Sequence, residues 1–475
     1  MVYLIDKNIP ANDVQTMAQV FFQHSSFRLC EAIPKEGLAL QVCADAGCIL
    51  AMLFNDGLAI ESSRVFCCFS GVQAISIAVK TSVYECLARY TRYRPAWGIL
   101  TGIRPTKIAH QLMSAGHNEH EAAKIFERLY FTDHEKAALC VEIAKNQQGI
   151  LKGSRRDSVS LYVGVPFCPS RCLYCSFASY PSTKYGGMMG DYVSALILEL
   201  AAVREMIGKR YIENIYVGGG TPTALDDTRF QHLLDAIATL FDTAGVIEYT
   251  IEAGRPDTIT PTKLQIMRNH GATRLTINPQ TLNNTTLAGI GRGHTAADFM
   301  QAWGMAQNAG FDHISADLIL GLPQEGNGDV EKTLDGVLAL NPASITVHTL
   351  AVKRASRLKD EITYHGIHQA QEMEAMISLT NARLSSSELL PYYMYRQKNS
   401  PGNFENVGWC KPGRHGLYNI QIMEEQQSIF AAGAGAVSKF VDKKSNLIRR
   451  AFNLKDLAGY IGRVDEMIER KKALL

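Results

Sequence analysis

Charge imbalance is missing from this 475-residue chain: 48 Lys and Arg stand against 46 Asp and Glu, a formal net charge of +2. No long basic run occurs either, so the electrostatic footprint of a nucleic-acid binder is absent. Residues 1–15 lack both a basic n-region and an apolar h-region, and secretion is not expected. No uninterrupted apolar run reaches bilayer-spanning length, so no membrane span is expected and the chain is expected in the cytoplasm. Internal repeats and low-complexity tracts are absent.

Cysteine is plentiful, with eleven. Eight of them (Cys30, Cys43, Cys48, Cys67, Cys68, Cys86, Cys140 and Cys410) have apolar or mixed surroundings and no metal spacing. An odd total in a reducing compartment argues against a disulfide framework, and these eight read as small buried hydrophobes. So many thiols are easiest to keep reduced where oxygen is scarce.

The length exceeds one ordinary core, and three stretches separate by pattern. Residues 1–152 read as an α+β domain, with strands at Gly37–Cys43 and Ser63–Phe69 and helices from Val72 to about Gln148. Thr132-Asp-His-Glu135 has capping-box spacing, and Lys152–Asp157 reads as a linker. From 158 to 355 strands and helices alternate as βα units around a parallel sheet. Strands are expected at Leu161–Val165, Ile215–Val217, Tyr249–Glu252, Arg274–Ile277, His313–Leu320 and Ser344–Val347. Six is too few for a closed eight-stranded barrel, so a partial (β/α)6 barrel is expected. Between them, Val193, Leu196, Ile197, Leu200, Val203 and Ile207, then Phe230, Leu233, Leu234, Ile237 and Leu240, form helical stripes. Residues 356–475 read as mostly helical, with a glycine-rich loop at 432–435. The fold class is α/β.

Directly after the first barrel strand stands Cys168-Pro-Ser-Arg-Cys172-Leu-Tyr-Cys175. Three thiolates on one loop can supply three of the four iron ligands of a cubane cluster, leaving the fourth iron open. A structural zinc wants a fourth protein ligand, usually from a second close-spaced pair, and none lies nearby. One βα unit later comes Gly218-Gly219-Gly220-Thr221, whose glycines would let a ligand approach the backbone and its amides. Glu252, Gln280, Arg292 and Asp317 are expected at the ends of later strands, where barrel enzymes place their chemistry.

The CxxxCxxC motif, with Tyr174 before the third cysteine, resembles that of the radical S-adenosylmethionine (SAM) superfamily. Glu252, Gln280, Arg292 and Asp317 together resemble the oxygen-independent coproporphyrinogen III oxidase family over nearly all of residues 160–440. The resemblance implies a [4Fe-4S] cluster on Cys168, Cys172 and Cys175, and SAM as second cofactor. It implies that Tyr162, Gly218, Gly219, Gly220 and Thr221 contact SAM, and that Glu252, Gln280, Arg292 and Asp317 hold its ribose and methionine parts. Ala351 would make a backbone contact on the adenine side. Arg414-His415 with Tyr418, and Gly433–Ser438, resemble the end of the family's catalytic region.

Two departures bear on the branch. Porphyrinogen-oxidising members have a histidine where this chain has Gly164, and a fourth cysteine where it has Phe177; the CxF ending is similar to that of the related haem chaperones. The stretch Trp97–Lys107 and Met423-Glu-Glu-Gln instead resemble a branch with a long N-terminal region, named as coproporphyrinogen dehydrogenase. What this implies is oxidative decarboxylation of propionates to vinyl groups, with a haem chaperone or a radical SAM enzyme acting on haem or another tetrapyrrole as the alternatives. Expected partners are a tetrapyrrole substrate and a reducing donor such as flavodoxin or ferredoxin. Arg104, Lys353, Arg354, Arg357 and Arg396 are candidates for pairing with substrate carboxylates.

Overall fold

The computed structural model describes the chain except residues 1, 8, 23–24, 46, 67–71, 103, 352–355, 359–369, 398–402, 444 and 446. Cys67, Cys68, Lys353 and Arg354 lie outside the described residues. The chain forms two compact units, one of residues 1–144 with 396–404 and one of 145–395 with 405–475. The division falls inside a continuous helix, His134–Gly153.

In the first unit a five-stranded sheet runs in the order Phe27–Leu29, Val2–Lys7, Leu38–Asp45, Cys48–Asn55, Leu58–Phe66. Its last hairpin turns at Asp56-Gly57, both at positive φ (51° and 79°), the backbone a tight two-residue turn requires. Helices Ala11–Phe21 and Val72–Thr91 share one core with the sheet: Val14 and Met17 with Leu40, Val42, Leu53, Val79 and Val83. The expected cap at Thr132 is displaced by one residue. Asp133 Oδ1 accepts from the Glu135 amide at 2.8 Å, while the Thr132 hydroxyl is buried without a partner. Aspartate outcompetes threonine here because its acceptor carries a full charge at a helix N-terminus.

The second unit is built on six parallel strands: β1 (Ser158–Val165), β2 (Tyr211–Gly219), β3 (Glu248–Glu252), β4 (Arg274–Thr276), β5 (Ile314–Leu320) and β6 (Ser344–Thr349). They lie side by side in sequence order, and the sheet does not close. At one edge Ser428–Ala432 runs parallel to β1, followed by the antiparallel strands Val437–Asp442 and Leu447–Phe452. At the other edge Glu405–Cys410 runs antiparallel to β6. So the C-terminal region supplies, besides helices such as Ala370–Ser385 and Leu417–Glu424, five strands that continue the sheet.

Helix α1 (Met189–Ile207) shows why the first stripe is apolar: Tyr192, Val193, Leu196, Leu200, Val203 and Ile207 are all buried. The stretch Ser182–Ile207 is the one described helical segment long and apolar enough to cross a bilayer. One face of it packs in the protein core, and it carries Glu199 fully buried there. There the Glu199 carboxylate accepts from Asn453 Nδ2 and the Gly433 amide, each at 2.8 Å, from the Tyr460 hydroxyl at 2.6 Å, and from Lys471 Nζ. Tyr192 donates to the Gly164 carbonyl at 2.6 Å and accepts from the Ala434 amide at 3.0 Å. This buried network seats the 433–435 glycine loop against the end of β1. Gly433, at φ 109°, has no room for a side chain: a Cβ there would lie 2.3 Å from the Gly164 carbonyl oxygen.

Candidate active site

A parallel sheet covered on both faces buries almost every side chain. In β1, β3, β5 and β6 a single position in each strand falls short of burial, and these are Tyr162, Glu252, Asp317 and His348. Tyr216 is the equivalent position in the middle of β2. Five side chains from five strands thus mark one solvent-reached interior surface. Tyr162, Tyr216 and Tyr418 stack there, with Tyr216 and Tyr418 ring centroids 4.5 Å apart and Tyr162 6.1 and 6.0 Å from them. Tyr418 is put in place from below. Glu248 pairs with Arg274 at 3.3 Å and accepts from the amides of Leu417 and Tyr418 at 2.7 and 3.2 Å, which starts their helix at that point.

Glu252 is the most perturbed acid of this surface. Burial, and next the charge of Asp317, push its carboxyl up to about 8, against a lowering from the Gly219 amide (3.3 Å) and the Tyr216 hydroxyl. Burial likewise raises the Tyr162, Tyr216 and Tyr418 phenols well above their usual range. Asp317 stands in the middle of β5 and not at its end, opposite Thr346, with His348 Nε2 3.6 Å from its Oδ2. His348 Nδ1 meets the Tyr395 hydroxyl at 3.1 Å.

The cysteine loop is pinned on three sides. Gly220 and Thr221 donate their amides to the carbonyls of Val165 and Phe167 at 2.8 and 2.7 Å. Leu173 donates to Ile290 at 3.0 Å, and Leu358 donates to Leu173 at 3.0 Å. Ser170 Oγ donates to Gly291 at 3.1 Å. The amides of Gly219, Gly220 and Thr221 meet protein acceptors, and packing itself demands glycine here: a Cβ at Gly218 would lie 2.4 Å from Glu252 Oε2, and one at Gly220 2.6 Å from the Phe167 carbonyl.

Cys168, Cys172 and Cys175 are free thiols on this loop. Burial, opposed for Cys168 by hydrogen bonds from Ser179 and Thr221, raises the Cys168 thiol. Burial, and then the two neighbouring thiols, raises Cys175 to about 11. Among the described residues no three acidic, histidine or cysteine side chains converge as ligands of one metal ion. A cubane asks for something else, because each thiolate binds a different iron and the sulfurs stay spread around the cube. Three mutually felt thiols on one pinned loop fit that requirement. Two orphaned atoms fit the second cofactor. Arg292 Nε and Gln280 Oε1 are buried without a protein partner, although the rest of the Arg292 guanidinium is tied to Tyr174 Oη (3.1 Å) and the carbonyls of Gly254 (2.9 Å) and Asn278. Gln280 is held at φ 69°, a strained conformation for a non-glycine residue, by backbone bonds to Asp317 and Ile319 at 3.0 Å each.

Ala351 lies buried two residues beyond β6. Arg396 belongs to the first unit, is buried, stacks 4.5 Å from the Trp97 ring and donates to the carbonyls of Leu100 and Asn403 (2.8 Å for the latter). Its guanidinium is thus committed to holding that unit together. Arg104 is also in the first unit, and Arg357 is exposed. Sequence reading passed over Tyr216, His348, Tyr395, Arg255 and Asp257. The inward parity of β2 and β6, in register with Tyr162 and Asp317, was the available signal for Tyr216 and His348.

This fold and site define a class that the comparisons name. The profile of the Radical SAM superfamily matches residues 162–337. The oxygen-independent coproporphyrinogen-III oxidase-like protein HemZ of Bacillus subtilis is 37% identical over 390 residues, 81% of this chain and 78% of that protein. The heme chaperone HemW of the same organism is 29% identical over 279 residues, 58% of this chain and 70% of its own length. The solved structure of coproporphyrinogen III oxidase (HemN) from Escherichia coli, a radical SAM enzyme, covers 68% of this chain and 73% of its own at a TM-score of 0.53 and 21% identity. The chain belongs to the radical SAM superfamily, in its coproporphyrinogen oxidase-like family, whose cofactors are a [4Fe-4S] cluster and SAM.

Proposed function

We propose that this protein is a radical SAM dehydrogenase that decarboxylates propionate side chains of coproporphyrinogen III to vinyl groups. The observation that carries the reading is the extent of the HemZ likeness, 81% of the chain at 37% identity, against 58% for the chaperone of the same organism. When bound, the two cofactors supply a 5′-deoxyadenosyl radical able to take a hydrogen atom from an unactivated carbon. For each propionate the β-hydrogen is removed, carbon dioxide leaves, and one electron passes to an acceptor, so a double bond remains.

The protein's own part is binding and orientation. Cys168, Cys172 and Cys175 would hold the cluster; Arg292 Nε and Gln280 Oε1, orphaned now, would meet polar groups of SAM. Glu252, protonated near neutrality, would lose its proton as a cationic ligand arrives. The tyrosine stack forms an aromatic wall beside these groups, which would help exclude water once the site is filled. A low-potential donor of the flavodoxin or ferredoxin kind and a cytoplasmic setting complete the proposal.

A second reading, a haem chaperone, is favoured by Gly164 and Phe177. Gly164 lies against the Ala432 carbonyl, where even a Cβ would sit at 3.3 Å, and Phe177 is 67% exposed beside the cluster loop. Product analysis separates the two: incubation with coproporphyrinogen III, SAM and reductant yields vinyl products under the first reading. Tight haem binding without such products supports the second.

A further inference from the structure

Arg255 stands three residues beyond the last residue of β3 and is 3% exposed. A buried guanidinium is costly unless its charge and N–H groups are met. Two of its nitrogens are met by a carboxylate fork: Nε lies 2.9 Å from Asp257 Oδ1 and Nη2 2.8 Å from Asp257 Oδ2. That bidentate grip fixes the guanidinium plane. Gly293 keeps the space clear, since a Cβ there would lie 3.2 Å from Nη2. The remaining nitrogen, Nη1, is thereby aimed at the cysteine loop, 3.1 Å from Ser170 Oγ and 3.8 Å from Cys172 Sγ. The loop's backbone is tied separately, to Ile290 and Leu358. Because Asp257 balances the charge of Arg255, what reaches the sulfur is a short-range N–H donor and dipole.

We propose that Arg255 is a positioning residue that sets the reduction potential of the cluster by donating a hydrogen bond from Nη1 to the Cys172 sulfur, with Asp257 fixing its aim. The proposal rests on the reading of Cys172 as a cluster ligand and is independent of the tetrapyrrole reading. A donor to a ligand sulfur stabilises the more negative, reduced cluster and raises its potential. Reduction adds one electron from an external low-potential donor and makes or breaks no bond. Arg255 therefore brings the cluster within reach of weaker donors.

The test is a mediated dithionite titration of the full, anaerobically reconstituted chain, without SAM or substrate, followed by the electron paramagnetic resonance signal of the reduced cluster. Arg255→Gln is expected to keep its iron and sulfide and to show a reduced-to-oxidised ratio about tenfold lower at the wild-type midpoint, a negative shift of ~59 mV for a one-electron couple. Arg255→Lys shifts less in the same direction. Should Arg255→Gln fail to fold, Arg255→Lys carries the test alone. Unchanged midpoints in variants with full cluster overturn the proposal. Cys172→Ala is measured alongside: full iron retention there overturns the ligand reading itself, whereas loss of iron with unmoved Arg255 midpoints overturns the role of Arg255 only.

Discussion

The raised carboxyl of Glu252 makes cofactor binding a proton-coupled event. With its value at about 8, roughly a tenth of the protein carries the carboxylate at pH 7, about half at pH 8 and roughly nine-tenths at pH 9. SAM bears a sulfonium that stays charged across this range, so it favours the ionised form of Glu252, and binding must remove the proton. The apparent affinity should therefore rise about tenfold from pH 7 to pH 9, roughly 1.4 kcal/mol, and level off above. The sign for folding is opposite. An acid whose value is raised by burial stabilises the empty protein fully below about pH 4.5. That contribution is lost as pH climbs through about 8, where the bound cation would offset it. Isothermal titration of reconstituted protein in buffers of different ionisation enthalpy reads both the affinity and the proton released. Glu252→Gln should weaken the pH dependence and release fewer protons than the wild type. A wild-type affinity that is constant from pH 6.5 to 9, or a slope in Glu252→Gln as steep as in the wild type, would refute the assignment of this carboxylate to a cationic ligand.

Three further outcomes are expected. Lys471→Met leaves Glu199 as an uncompensated charge in the core and should cost about 3–5 kcal/mol in urea unfolding; pairing it with Glu199→Leu should recover much of that, and two additive losses would show the pair is not coupled. Gln280→Gly removes the strain of φ 69° and the orphaned Oε1 together, so thermal stability should rise by up to about 1 kcal/mol while SAM affinity falls; a fall in both would place Gln280 in the fold and not in the site. Gly433→Ala should unfold at markedly lower urea concentration, because its Cβ would meet the Gly164 carbonyl at 2.3 Å; wild-type stability would mean the loop can move away from β1.

What was legible in the sequence was local. The cysteine loop lies within eight consecutive residues, and the six parallel strands are short apolar runs that burial on both faces demands. What stayed hidden depends on partners far apart in the chain. Arg255 has meaning only beside Cys172, 83 positions earlier, and His348 only between Asp317 and Tyr395. The strands of the C-terminal region were obscured for a different reason. Leu447–Phe452, at the sheet edge, carries Arg449 and Arg450 and is mostly exposed, so it lacks the apolar signature of a buried strand. The glycine segment was legible as glycine, but what demands glycine there was not. Its spacing shows that side chains are excluded, and only the structure identifies the Glu252 carboxylate and the Phe167 carbonyl as the atoms that exclude them.

The central claim is radical chemistry on a tetrapyrrole propionate, and an anaerobic assay with coproporphyrinogen III, SAM and reductant tests it most directly. Mass spectrometry should find 5′-deoxyadenosine together with mono- and divinyl products, both lost when Cys168, Cys172 or Cys175 is replaced by alanine. Deoxyadenosine formed in a cysteine-dependent way with no loss of carbon dioxide from the porphyrinogen would contradict the proposed reaction.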